Sequence, residues 1–305
     1  MTVATTPGEA AGAASLRPRR LPPGAMPYLL IAPAVVYLLG ITLYPLLSAL
    51  YTSLHQITIG QRFFVGLENY ARLFADSAFW SSLGITALIS GVALALETAL
   101  AMALALMIYK DPWVKTWRFL FLLPMLFMPS AVAFMWKLLF FPGTSVINDL
   151  LLRLGVITEQ INWTGDAPSA IIMLIVTDVW QWTPFLFVIF LAGLQAMDTE
   201  LEEAAMLDGA RWYHIFWHIT LPLMGPIITV ALTLRGIDLV RMFATVHVMT
   251  KGGPAGFTET VSYFIYRTAF KGFEQGYAAA ASVVVLILTL VIAMFVVKRL
   301  FRYTT

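Results

Sequence analysis

The sequence predicts an all-α polytopic membrane protein with six transmembrane helices, and three observations support that prediction. Of 305 residues, 60% are hydrophobic and 12% charged, roughly half the charged share usual in soluble domains. The mean hydropathy of +0.82 is too high for a disordered chain. The apolar residues also fall in long charge-free runs, apolar on every face; between Arg20 and Arg62 there is no Lys, Arg, Asp or Glu. Such runs suit helices, because membrane barrel strands alternate. Nineteen basic against 17 acidic residues give a net charge of +2, which argues against a nucleic-acid partner. With no cysteine, a disulfide framework, a thiolate metal site and a cysteine nucleophile are all excluded.

Residues 1–27 are rich in Ala, Gly, Thr and Pro and hold the basic cluster Arg17, Arg19 and Arg20, which predicts a disordered cytoplasmic tail. The membrane domain follows over 28–303. Its first span, about Tyr28–Tyr51, exceeds the roughly 20 residues that cross ~30 Å of hydrocarbon. It is also too long for the apolar region of a signal peptide, so it reads as a retained helix. Further spans fall at about Trp80–Met107, Trp117–Phe140, Ser169–Met197, Pro222–Met249 and Gly276–Val297. With the N-terminus inside, ten basic residues are cytoplasmic (Arg17, Arg19, Arg20, Lys110, Lys115, Arg118, Arg211, Lys298, Arg299, Arg302). Six are external (Arg62, Arg72, Arg153, Lys251, Arg267, Lys271), so both termini are expected in the cytoplasm of an inner-membrane, multi-pass protein.

The cytoplasmic loop of about 198–221 is not a simple connector. It begins DTELEEAAMLDGA, and Glu200, Glu202 and Glu203 suit the positive end of a helix dipole, while Gly209 suits a left-handed helix stop. A short surface helix is predicted, with a small face of Ala204, Ala205 and Gly209 that lets another backbone approach closely.

Glu203-Ala204-Ala205, Gly209 after three residues, and Ile219-x-Leu221-Pro222 after nine resemble the EAA signature of permease subunits in binding-protein-dependent ABC importers. All seven fixed positions match. Other stretches are similar to the carbohydrate-uptake branch, the maltose-type and glycerol-phosphate-type permeases: TPF at 183–185 after Trp180-Gln181-Trp182, LAGLQ at 191–195, TKGGP at 250–254, YRTAF at 266–270 and WKLLF at 136–140. The resemblance runs from about Pro27 to the C-terminus and implies the type I (MetI-like) importer fold. It implies that the loop helix is a coupling helix seated in a cytosolic ATPase subunit, with Glu203, Ala204, Ala205, Asp208 and Gly209 at the contact. It further implies a second permease subunit forming a heterodimer, an ATPase dimer that binds ATP and magnesium, and an extracytoplasmic solute-binding protein. No G-x-x-x-x-G-K-[ST] string occurs, so no cofactor is expected on this chain and no catalytic residue is assigned.

Ionisable residues inside spans are costly and mark either function or interhelix pairing. Arg235, Asp238 and Arg241 lie three apart on span five, an acid between two bases, either locking that span to a neighbour or facing a solute cavity. Asp178, Gln181, Trp182 and Phe185 share one side of span four, where amide, carboxylate and ring faces suit a sugar. By the resemblance, positions matching Asp178, Gln181, Trp182, Phe185, Arg235, Leu239 and Met242 line the sugar site of the maltose-type family. This chain departs from that pattern with Arg235, Leu239 and Met242, where smaller or amide side chains are expected. Glu97 reads as an interhelix hydrogen bond at a subunit contact, and Lys137 as snorkelling to the headgroups. Ser130 beside Pro129 marks a helix irregularity whose freed carbonyls either line a cavity or form a packing kink.

His214 and His218 have zinc-ligand spacing but no third ligand nearby, and no hydrolase triad motif occurs. The expected function is therefore ATP-driven import of a sugar or oligosaccharide by alternating access. The alternatives are an importer for another solute, such as glycerol phosphate or a polyamine, and an ATPase-independent secondary transporter.

Overall fold

The computed structural model describes residues 25–301 apart from 59, 60, 144 and 199. The expected tail lies outside the described residues up to 24. Packing divides the chain into two units, Met1–Ser48 and Ala49–Thr305. In the first, helix α1 (Ala25–Ser53) begins, and its apolar side chains, such as Leu30, Tyr44 and Leu47, are exposed.

The second unit opens with a two-stranded antiparallel hairpin, β1 (His55–Thr58) and β2 (Gln61–Phe64), in which His55 pairs with Phe64. Helix α2 (Glu68–Ala75) follows. Asp76 then caps α3 (Ser77–Ile108), its carboxylate accepting from the Ala78 N–H at 2.8 Å. Helix α4 (Val114–Leu122) continues into a 3-10 turn at Leu123–Leu126 before α5 (Pro129–Leu139) and α6 (Val146–Arg153). Asp166 caps α7 (Ala167–Ala196). The loop helix α8 (Glu200–Leu207) is followed by α9 (Trp212–Ile215), which runs through a π-helical turn at Phe216–Thr220 into α10 (Leu221–Val240). The chain ends with α11 (Ala244–Met249), α12 (Val261–Tyr266), a second π turn at Arg267–Lys271 and α13 (Gln275–Phe301).

Among the described residues, five helical stretches are long and apolar enough to cross a membrane: Leu30–Ser53, Ser77–Ile108, Ala167–Ala196, Trp212–Met249 and Gln275–Val296. The third expected span differs from its prediction. It is a broken pair, Val114–Leu126 and Pro129–Leu139, bent by 88°. Pro129 has no N–H to offer the preceding turn and drives Met128 into an extended conformation (ψ 132°), so the helix cannot continue. The fifth span starts earlier than expected, at Trp212, because Pro222 widens the turn before it: the Leu221 N–H reaches back to the Phe216 carbonyl. It also breaks after Val240, where Arg241 leaves helical geometry (ψ 7°).

Helix α7 is the hub, packing against α3, α10, α5 and α11. Two apolar cores stack along it. One contains Ile89, Ala93, Met173, Leu174, Leu239 and Val246. The other contains Ala101, Ala105, Leu186, Phe187, Phe190, Leu191, Met224 and Ala231. On α3, α7 and α10 alike, the residues between these cores are polar and buried: Glu97, Asp178 with Gln181, and Arg235. A third core, Leu73, Phe79, Val261, Phe264 and Tyr277, closes the end of the bundle that carries the hairpin.

At that end α13 meets β1 without room for a side chain. A Cβ on Gly276 would fall on the His55 carbonyl oxygen, whereas one on Gly236 would meet only Leu94 Cδ2, at 3.9 Å. Gly276→Ala is therefore expected to cost about 1–3 kcal/mol by overpacking. That lowers the thermal midpoint in detergent by roughly 5 °C, while Gly236→Ala, in a helix interior with room for a methyl group, does not lower it.

Candidate functional site

The polar layer between the two cores is organised by one guanidinium. Arg235 Nε donates to Glu97 Oε2 and Nη2 to Glu97 Oε1, both at 2.8 Å. Nη2 also donates to Asp178, and Nη1 donates to Asp238 Oδ2 at 3.0 Å. Four of the five arginine donors are thus engaged by three carboxyl groups, one of them bidentate. Arg235 is 2% exposed and Glu97 0%, so these charges are taken from solvent and compensate one another across α3, α7 and α10. Asp238 is the half-exposed member of the cluster. The Trp182 ring lies beneath the guanidinium, with Arg235 Cζ 5.0 Å from its centroid, and is half-buried.

Of the two readings of the charged residues on span five, a lock to neighbouring helices and a face to a solute cavity, the Arg235 pairs to α3 and α7 make the first. Arg241, at the end of α10, is exposed and makes no ion pair among the described residues, and Arg235 is faced by Asp238 of its own helix and by Glu97 and Asp178 of two others. Glu97 makes an interhelix pair as the sequence suggested, but its partner is Arg235 of the same chain, not a residue of a second subunit. Glu97 is therefore a member of the site that sequence reasoning left out. The available signal was an acid and a base in separate spans, each lacking a partner in its own neighbourhood.

Gln181 has a different task. Its Nε2 donates to the Phe127 carbonyl at 3.1 Å, in the break between the 3-10 turn and α5. A broken helix in hydrocarbon frees carbonyls that need a donor, and α7 supplies one. Ser130 is half-buried in the first turn of α5, just past that break. Phe185 is not brought to the cluster; it packs with Leu186, Phe187 and their neighbours in the second apolar core. Leu239 and Met242 are buried in the first. Lys137 does not snorkel: its Nζ donates to the Val248 carbonyl at 2.9 Å, capping the negative end of α11. His214 and His218 are exposed, and His218 Nδ1 lies 3.0 Å from the His214 carbonyl. The TKGGP loop folds on itself through Thr258, whose Oγ1 donates to the Gly253 carbonyl at 2.6 Å.

At the opposite end from the hairpin, α8 forms over Glu200–Leu207 as its acidic first turn predicted, and Gly209 ends it with φ +78°. Glu203, Ala204, Asp208 and Gly209 are exposed and Ala205 is half-buried. Apolar side chains stand beside them in the open, Leu207 at 89% exposure and Trp212 at 79%. Glu202 alone of the acidic turn points inward. Its carboxylate accepts from Lys110 Nζ at 2.9 Å and from the Tyr109 hydroxyl at 3.2 Å. The Glu202 hydrogen bond holds the Lys110 ammonium above the ordinary lysine range.

Arg235→Leu is expected to leave two buried carboxyl groups without a counter-charge, at a cost of about 3–5 kcal/mol, and so to deplete folded protein from the membrane. The triple change Arg235→Leu, Glu97→Gln, Asp178→Asn should recover most of that abundance, read by fluorescence-detected gel filtration.

The chain matches known proteins over most of its length. The family model described as binding-protein-dependent transport system inner membrane component matches residues 97–303. The chain is 36% identical over 266 residues to the trehalose/maltose transport system permease protein of Thermococcus litoralis, covering 86% of this chain and 89% of that one. It is 32% identical over 276 residues to the trehalose transport system permease protein of Mycobacterium tuberculosis, covering 89% and 87%. A solved chain of a bacterial ABC transporter involved in the import of the acidic polysaccharide alginate shares its fold, with TM-score 0.78, 22% identity, and coverage of 92% of this chain and 96% of that one. The chain therefore belongs to the binding-protein-dependent transport system inner membrane components, the permease subunits of ABC importers.

Proposed function

We propose that this permease subunit moves an uncharged sugar or oligosaccharide across the cytoplasmic membrane by alternating access. A cytosolic ATPase dimer, which binds the ATP and magnesium, drives it through α8. The observation that carries the coupling role is the exposed face of α8, where the EAA residues Glu203, Ala204 and Ala205, with Asp208 and Gly209, sit beside unpartnered Leu207 and Trp212. A stop at Gly209 in left-handed geometry keeps the helix short and separates it from α9, as a lever requires. The α8 end then faces the cytoplasm, as do both termini, and the hairpin end faces an extracytoplasmic binding protein. A second permease subunit completes the pore as a heterodimer.

Two relatives that carry trehalose in their names support a sugar as the solute. The chemistry of the polar layer points the same way. Arg235 is already held by three carboxyl groups, so the accessible side of the cluster offers the Asp238 carboxylate and the Trp182 ring. A carboxylate accepts from hydroxyl groups and an indole packs on the C–H face of a sugar ring. A phosphate would meet an acceptor where it needs a donor, which disfavours glycerol phosphate. Ser130 stands at the break before α5, which Gln181 holds through the Phe127 carbonyl.

In proteoliposomes holding this subunit, its permease partner and the ATPase, binding protein loaded with a neutral disaccharide should stimulate ATP hydrolysis and uptake; absence of both for every neutral sugar would overturn the reading. Asp238→Asn should raise the half-saturating sugar concentration severalfold while leaving ATPase co-purification unchanged. Gly209→Leu forces an L-residue into the left-handed region at about 1–2 kcal/mol and should abolish uptake with the subunit still in the membrane.

A further inference from the structure

We propose that Glu202 with Tyr109 and Lys110 forms a positioning bridge that carries the motion of α8 into α3, and through α3 to the Arg235 cluster. The inference rests on α8 being the seat of the ATPase.

Glu202 is 5% exposed while its neighbours Glu200 and Glu203 face solvent, so one acid of the turn is committed to the bundle. Its two donors directly follow Ile108, the last residue of α3, and the Tyr109 N–H still donates to the Ala105 carbonyl at 3.0 Å. They therefore move with α3. Thirteen residues back along that helix from Lys110, about 20 Å at its rise per residue, stands Glu97 in its bidentate pair with Arg235. The stretch between them, TALAMALALMIY, has no Gly or Pro and is built largely from Ala, Leu and Met, the strongest helix formers. It is a straight-chain rod with nothing in it to flex.

The covalent route from α8 to the same cluster is softer. It passes Gly209 in left-handed geometry, the four-residue α9, a π turn, and Pro222, Gly225 and Pro226 before reaching Arg235. The π turn lengthens helix hydrogen bonds, the prolines remove them, and the glycines relax the backbone, so the chain bends more easily along this route. Displacement of α8 thus reaches the polar layer most directly across the Glu202 carboxylate, not along the backbone. Because Arg235 also holds Asp178 and Asp238, a shift of α3 is passed at once to α7 and to the half-exposed acid.

The test uses the reconstituted complex of this subunit, its permease partner and the ATPase, with sugar-loaded binding protein. Glu202→Gln and Lys110→Met are expected to retain ATPase co-purification and ATP hydrolysis but to lower sugar moved per ATP by about fivefold or more. The exchanged pair Glu202→Lys, Lys110→Glu should restore that ratio to near the starting value. Unchanged sugar per ATP in both single variants would overturn the bridge. So would loss of ATPase binding, or of the subunit from the membrane, in both, since the contact would then serve assembly or folding alone. Leu207→Arg on the exposed face separates the two levels. If it leaves ATPase binding intact, the seat itself is wrong; if it abolishes binding while Glu202→Gln transports normally, only the bridge fails.

Discussion

Everything at the centre of this bundle depends on the compensation of buried charge around Arg235. A guanidinium and carboxyl groups withdrawn from water in the interior of a membrane protein are tolerated only when they satisfy one another, and here the satisfaction is shared among α3, α7 and α10. The three helices are consequently fixed in rotation as well as distance, because the bidentate Glu97 pair needs both oxygens in the guanidinium plane. The apolar cores above and below it are less directional and pack the same three helices together.

The same interaction decides what the layer offers to a solute. An isolated arginine in a span is an anion site. Surrounded by Glu97, Asp178 and Asp238, it becomes a scaffold, and the group turned outward is an acid beside an indole. The polarity of the path is thus set by which member of the cluster remains half-exposed, not by the charge of any one helix.

The breaks in the helices are equally physical in origin. Pro129 interrupts the third span, Pro222 widens the start of α10, and each break is provided for by a polar partner or an altered turn: Gln181 for the Phe127 carbonyl, the π turn for the Phe216 carbonyl. Lys137 performs the corresponding task for α11, spending on the Val248 carbonyl a charge that would otherwise have to reach the headgroups.

Much of the architecture was legible from one dimension. Composition and charge-free runs are properties of local sequence, and hydrocarbon admits so few backbone solutions that helical spans followed from them. The acidic first turn, the small residues and Gly209 likewise announced α8, because capping and left-handed stops act within a few residues. What only the tertiary structure decided is who pairs with whom. Arg235 and Asp238, three apart, suggested a lock to some neighbouring helix without naming it, and the bidentate partner is Glu97 of α3; Phe185 shares a side with Asp178 but packs with the apolar core; Glu202, one of three similar acids, is the one that faces Lys110. Burial and pairing depend on the rotation of each helix against its neighbours, and that rotation arises from the summed packing of the whole bundle, a quantity no local stretch of sequence contains.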